Sequence, residues 1–346
     1  MSLLALPRLL PRLLRPAIDA IFTWNMPWRY RWRMLILQPI SVLTFAMSST
    51  RWLFTRAYSV EYLTVSPGRT IRVLVFKAPD KPQNSKKLRP LHIDIHPGAF
   101  IGGWPEDDAV FCDQLARETG AVVISISYRY APIHVFPAAH DDVDATIRYL
   151  QNHAEAKYGA DPTLLTVSGF SAGGNLAIAA AQAERCRPAS KTGIKASTTF
   201  YAACDLRLKP QEKPVPPNMP NDPAAFLVPL YDSYVESVRS ENMENPRMSP
   251  VLASVDQLPE NMFVWVAGID ILVHEQTTFV ERIKQDLARD PKHEGRRAEI
   301  AVDEQGFHGY LNLPDSIIPQ EKKQKAFGPA IQFIKDTHLK YGFQRP

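Results

Sequence analysis

The chain has 346 residues, 45% of them hydrophobic, with 40 basic and 36 acidic side chains and a formal charge of +4. That length and apolar content support one large core, and so small a charge excess excludes a dedicated nucleic-acid binder, which concentrates its basic residues in a stripe. The three cysteines, Cys112, Cys186 and Cys204, are too few and too widely spaced for a disulfide framework or a zinc site, so a reducing, cytoplasmic setting is expected.

Residues 1–60 carry eight arginines, no lysine and a single acid, Asp19, interleaved with apolar residues as in LPRLLPRLLRP and PWRYRWRMLILQPISVLTFAM. Pro7, Arg8, Pro11 and Arg12 interrupt any secretory apolar run. The apolar stretch from Met34 to Met47 contains Pro39 and falls short of the roughly 20 residues that cross a bilayer. Two readings follow. Residues 1–55 form lid helices with an apolar face against the body, or they lie on an anionic membrane surface through arginine and tryptophan, a peripheral contact. The two are compatible on different stretches.

After residue 60 the pattern becomes regular. Strands are expected at 71–76, 91–96, 121–128, 164–169, 196–202, 262–268 and 298–302, and helices at 108–118, 139–153, 172–184, 276–288 and 320–337. Such alternation implies βαβ units and an α/β fold with a mostly parallel central sheet flanked by helices. The proline-rich stretch 208–223 breaks the alternation and reads as an insertion into a lid over about 205–245. The organisation expected is therefore one catalytic body, 56–346, with a helical lid built from the N-terminus and this insertion.

The most informative stretch is SGFSAGGNLA, 168–177. A β-run ends at Gly169, Ser171 follows in G-x-S-x-G spacing, and a helix of small residues begins. A strained strand-to-helix turn leaves no room for side chains two positions either side of the serine, and it presents Oγ at a helix start. A serine nucleophile needs a base, and the base an orienting carboxylate, here expected in the order Ser, Asp or Glu, His. Among His293, His308 and His338, only His308 lies in a glycine-flanked loop directly after a strand. Asp270 directly follows the strand MFVWVAG, at the end where α/β sheets bind ligands. Glu275 and Asp205 are the rival carboxylates.

A tetrahedral oxyanion needs backbone donors: the amide after the nucleophile, Ala172, and amides of the loop after an earlier strand. HPGAF, 96–100, occupies that place. With HPGAF, YRYAPIHVFPAAHDDV (128–143), GFSAGG (169–174), DILVHE (270–275) and FHG (307–309) in this order, the chain resembles the hormone-sensitive-lipase-like branch of the α/β-hydrolases over about residues 60–340. The resemblance implies that Ser171, Asp270 and His308 are catalytic, that Gly98, Ala99 and Ala172 form the oxyanion hole, and that His96 anchors the loop. It also implies a carboxylic-ester substrate and no cofactor or metal.

Four residues depart from the family pattern. Pro97 replaces a glycine but removes no needed donor, Phe170 replaces an aspartate beside the serine, and Ile133 replaces a glutamate. Ala99 in place of glycine is acceptable if its φ is negative. Phe100, Trp104, Phe170 and Tyr201 are candidate substrate-pocket residues, although such aromatics are more often core. Asp141 and Asp142 look like an acid pair but are expected to cap a helix and bond backbone. The run SKKLR (85–89) reads as a solvated loop. Two alternatives to ester hydrolysis remain: a biosynthetic deacetylase, lactonase or cyclase acting on a polyketide or terpenoid in secondary metabolism, and an inactive small-molecule receptor. Retention of His308 weighs against the receptor.

Overall fold

The computed structural model describes residues 14–24, 26–49, 57–79, 88–217, 219 and 225–344. Eight strands form one sheet in the order β1-β2-β4-β3-β5-β6-β7-β8. They are β1 (Tyr58–Ser66), β2 (Arg69–Lys77), β3 (Arg89–Ile95), β4 (Val122–Ile126), β5 (Ala160–Phe170), β6 (Ala196–Phe200), β7 (Asn261–Ile269) and β8 (Arg297–Phe307). β3 to β8 run parallel to one another, and β1 and β2 add a hairpin at one edge, with β2 antiparallel to β4. All seven strands expected from the sequence form. β1 was not expected: only Tyr58 and Leu63 of YSVEYLTVS are buried, so this edge strand shows neither an apolar run nor a clean alternation.

The helices are α1 (Arg15–Phe22), α2 (Trp28–Ser49), α3 (Ala109–Thr119), α4 (Ala138–Tyr158), α5 (Ala172–Ala179), α6 (Val273–Arg289) and α7 (Gln320–Lys340). α3 and α4 stop at Gly120 and Gly159, both left-handed, as helix C-termini favour. α5 ends sooner than the sequence reading of 172–184 and tightens into a 3₁₀ turn at Ala180–Gln182. All eight of its residues are buried, so packing selects its small side chains.

β3 shows why the sheet is central. Its apolar residues Leu91, Ile93 and Ile95 face one buried layer, and His92 and Asp94 face the other. The polar pair is satisfied within the sheet: His92 meets Thr166 and Ser168 at 2.8 Å each, and Asp94 accepts from Ser168 at 2.6 Å and Ser125 at 3.0 Å. Burial pushes the His92 imidazole down to about 3, so it stays neutral.

The N-terminal helices touch both each other and the insertion. Ala17 N donates to Gln38 Oε1 at 3.1 Å, joining α1 to α2. Tyr30 on α2 donates its hydroxyl to Glu236 at 2.8 Å and lies 3.1 Å from Asp232. Arg29 pairs with Glu236, and Arg239 with Asp232. The insertion itself is a chain of short 3₁₀ turns, the longest over Ala225–Tyr234. Residues 1–13 and 50–56 of the expected lid, 218 and 220–224 of the insertion, and 85–87 of the basic loop lie outside the described residues. No described helix is long and apolar enough to cross a membrane.

Candidate active site

Ser171 joins β5 to α5 with φ 52° and ψ −116°, a region that costs an L-residue about 1–3 kcal/mol. The surroundings enforce it. A Cβ on Gly169 would stand 2.2 Å from the Gly173 carbonyl oxygen, and one on Gly173 would stand 1.9 Å from that of Ile95. Glycine at both positions lets the backbone approach that closely. Ser171 N donates to Phe200 O at 2.9 Å, fixing the turn to β6.

His308 follows the last residue of β8, and Asp270 follows the last residue of β7. Ser171 Oγ lies 2.8 Å from His308 Nε2, and His308 Nδ1 lies 2.7 Å from Asp270 Oδ2. A carboxylate only accepts, so Nδ1 carries the proton and Nε2 presents its lone pair to the serine hydroxyl. Asp270 is buried, and its other oxygen accepts from Leu272 N at 3.0 Å, which locks its orientation.

The rival residues are engaged elsewhere. Glu275 accepts from the backbone amides of Cys204 at 2.7 Å and Asp205 at 3.1 Å and pairs with Lys213. Asp205 pairs with Arg207 at 2.7 Å. His293 sits 3.4 Å from Arg296. His338 is buried, and burial pushes it down to about 3.

The loop after β3 is built on His96. Its buried ring stacks on Tyr128 with centroids 4.5 Å apart. Nδ1 donates to Pro97 O at 2.6 Å, and Nε2 lies 3.2 Å from the Tyr130 hydroxyl. Burial holds this imidazole at about 3, so it braces the loop as a neutral group. Gly98 has φ 131°, and a Cβ there would meet Gly102 O at 2.1 Å.

The condition set for Ala99 in place of glycine, a negative φ, is not met. Ala99 has φ 52° and Phe100 φ 61°, left-handed conformations that cost roughly 1–2 kcal/mol per residue. Tight turning around Gly98, whose carbonyl accepts from Ile101 N at 2.9 Å and Gly102 N at 3.2 Å, imposes them. Among the described residues the amides of Gly98 and Ala99 donate to no protein acceptor. Ala172 opens α5, where an amide has no intrahelical partner.

Of the four candidate pocket aromatics, only Trp104 borders a cavity shared with Gly98. Phe100 is fully buried and stacks on Tyr234 at 4.3 Å. Phe170 is fully buried, stacked on Phe200 at 4.2 Å with Phe111 and Phe327 edge-on; a carboxylate there would face an aromatic cluster. Tyr201 is also fully buried. Phe100 and Tyr201 are packing residues, whereas Phe170 packs in this cluster and also borders a second cavity with Phe111, Leu311 and Phe327.

Tyr201 has a supporting position that was not anticipated. Its ring lies 5.2 Å from that of His308, and its hydroxyl donates to Asn312 Oδ1 at 2.6 Å. Asn312 in turn donates to Asp108 Oδ1 at 2.6 Å. Asn175 donates to Ala203 O at 2.7 Å and Met248 O at 3.1 Å, and lies 3.1 Å from His140, pinning α5. Single asparagines carry no spacing signal, so only the fold reveals them. The Asp141–Asp142 pair is split. Asp142 binds the Arg129 amide at 2.9 Å, as expected for one member, whereas Asp141 caps nothing and pairs with Arg247 at 3.0 Å. No group of side chains suited to hold a metal ion occurs among the described residues.

A parallel α/β sheet with a strained serine at one strand end, and a histidine and an aspartate in line from the next strands, defines an α/β protein equipped for nucleophilic attack on a carbonyl. A family model described as alpha/beta hydrolase fold matches residues 92–312; the chain belongs to that family, in its hormone-sensitive-lipase-like branch. Arylacetamide deacetylase of Oryctolagus cuniculus is 31% identical over 62% of this chain and 58% of its own length. The carboxylic ester hydrolase LipN of Mycobacterium tuberculosis is 28% identical over 65% of this chain and 58% of its own. The chain thus spans about three fifths or less of the length of the first of these curated relatives. An esterase from Pyrobaculum calidifontis superposes with a TM-score of 0.68 and 25% identity, covering 98% of this chain and 99% of its own.

Proposed function

We propose that the protein is a serine hydrolase that cleaves a carboxylic ester through an acyl-serine intermediate. The observation that carries this reading is the unbroken line from Ser171 Oγ to His308 to Asp270, at 2.8 and 2.7 Å. Ser171 attacks the ester carbonyl while His308 takes its proton. The amides of Gly98, Ala99 and Ala172 receive the oxyanion. His308 then protonates the departing alcohol, and Asp270 holds its tautomer and stabilises its cation. Water, deprotonated by His308, releases the acid. The esterase and ester-hydrolase names of the relatives support the same chemistry. The test is hydrolysis of p-nitrophenyl esters of rising acyl length beside Ser171→Ala, which is expected to lower turnover about a millionfold. Undiminished activity in that variant would refute the mechanism.

A peripheral membrane contact has its own support. Trp24 and Trp28 are 88% and 70% exposed, and Ile21 and Phe22 beside them also face outward. They sit in an arginine-rich segment with one acid. Arg31 donates to the carbonyls of Thr23, Trp24 and Met26, holding this turn in shape. Aromatic side chains with flanking arginine suit the headgroup region of an anionic bilayer, and binding to phosphatidylserine vesicles tests it. Three free, buried cysteines favour a reducing compartment.

A further inference from the structure

Beside the oxyanion loop lies a cavity of about 510 Å³. Its walls are Arg69 to Arg72 at the start of β2, Ser127 to Arg129 after β4, and Gly98 with Gly102 and Gly103 of the loop after β3. Ser171 follows β5, on the other flank of β3. The loop therefore partitions the carboxyl edge of the sheet, with the serine on one side and this cavity on the other.

Four guanidiniums line the cavity: Arg15, Arg69, Arg72 and Arg129. Three have a carboxylate each. Arg15 donates to both oxygens of Asp19 at 2.8 and 2.7 Å, Arg72 forks onto Glu106, and Arg129 donates to both oxygens of Asp142 at 3.0 and 2.9 Å. Arg69 is left over. Its Nε stands 3.3 Å from Asp142 Oδ1, an oxygen that Arg129 already engages. The remaining lining carboxyl, Asp107, accepts from Trp104 N at 2.8 Å, and burial pushes it up to about 7, so near neutrality it is only partly charged. His134 registers the surplus: burial first, then Arg129, Arg69 and Arg15, hold its pKa below the usual value.

A guanidinium that among the described residues only shares a carboxylate leaves room for one further negative charge, and its planar fork fits two coplanar oxygens. A cavity of this size also holds an organic remainder, against Pro16, Leu37 and Ile71. We propose that this cavity binds the carboxylate of a small organic acid, with Arg69 as its ion-pair partner. Gly98 is shared by the cavity and the oxyanion loop, so an occupied cavity braces that loop from behind.

The test uses full-length Ser171→Ala protein, which separates binding here from turnover, and benzoate as the probe in isothermal titration calorimetry at constant ionic strength. Saturable one-site binding is expected. Arg69→Gln in the same background is expected to weaken it at least tenfold, with an unchanged circular-dichroism spectrum, and Arg69→Lys by less. Arg289→Gln, at an exposed arginine, leaves it unchanged. The proposal is overturned by absence of saturable binding, by equal weakening in the Arg69 and Arg289 variants, or by inorganic phosphate binding through Arg69 more tightly than benzoate does.

Discussion

At the ends of β5, β7 and β8 the functional side chains are buried or half-buried and tied together, whereas between α1 and α2 the side chains of Phe22, Trp24 and Trp28 face outward. The first region gains its geometry from the sheet: three strand ends set Ser171, Asp270 and His308 within hydrogen-bond reach. The second is anchored at a few points, such as Tyr30 and Gln38, and leaves Trp24 and Trp28 without a core to enter. A site made for one bond-making geometry is over-determined. A surface made for a soft partner needs only an exposed apolar face with the right charge.

Substitutions sharpen this contrast. Asp270→Asn keeps the shape of the site but disturbs the His308 tautomer, and kcat is expected to fall roughly 10⁴-fold with the melting temperature little changed. Gly98→Ala drives a Cβ to 2.1 Å from Gly102 O. The loop must shift and misplace its amides, which lowers kcat roughly 100- to 1,000-fold; equal kcat in steady-state assays would remove the loop from the mechanism. Glu275→Gln is the converse case. It leaves the buried Lys213 charge uncompensated, so urea denaturation should show a loss of about 3 kcal/mol while kcat on a soluble ester holds. If kcat collapses instead, Glu275 and not Asp270 orients the histidine. In the outer region, Trp24→Ala with Trp28→Ala is expected to weaken partition into anionic vesicles roughly tenfold, about 1.4 kcal/mol, without altering hydrolysis of a soluble ester. A parallel loss of soluble-substrate activity would make these residues part of the lid's catalytic packing.

The same contrast explains what was legible in the sequence. Ser171 could be read because steric crowding at its turn dictates glycine at 169 and 173, a short-range constraint that leaves a pattern. Asp270 could be read because it follows a strand of β-branched and aromatic residues, and His308 because it lies in a glycine-flanked loop after the last strand. The six inner strands announce themselves as apolar runs, but β1 lies at an edge and only Tyr58 and Leu63 of it are buried. Side chains were harder. Phe100 and Tyr201 looked like pocket residues, yet whether an aromatic lines a cavity or fills a core depends on partners far along the chain: Tyr234 for Phe100, Asn312 for Tyr201. Ala99 misled for a related reason. Its φ is set by the turn around Gly98 and by Phe100 packing on Tyr234, and the second constraint is not local in sequence.

A fluorophosphonate probe reacts only with a hydroxyl whose proton has somewhere to go. Labelling the native protein and mapping the adduct by peptide mass spectrometry is therefore the most direct test of the serine–histidine–aspartate line. One adduct per chain on Ser171 is the result this account requires; an unlabelled protein, or a label carried by any other serine, would contradict it.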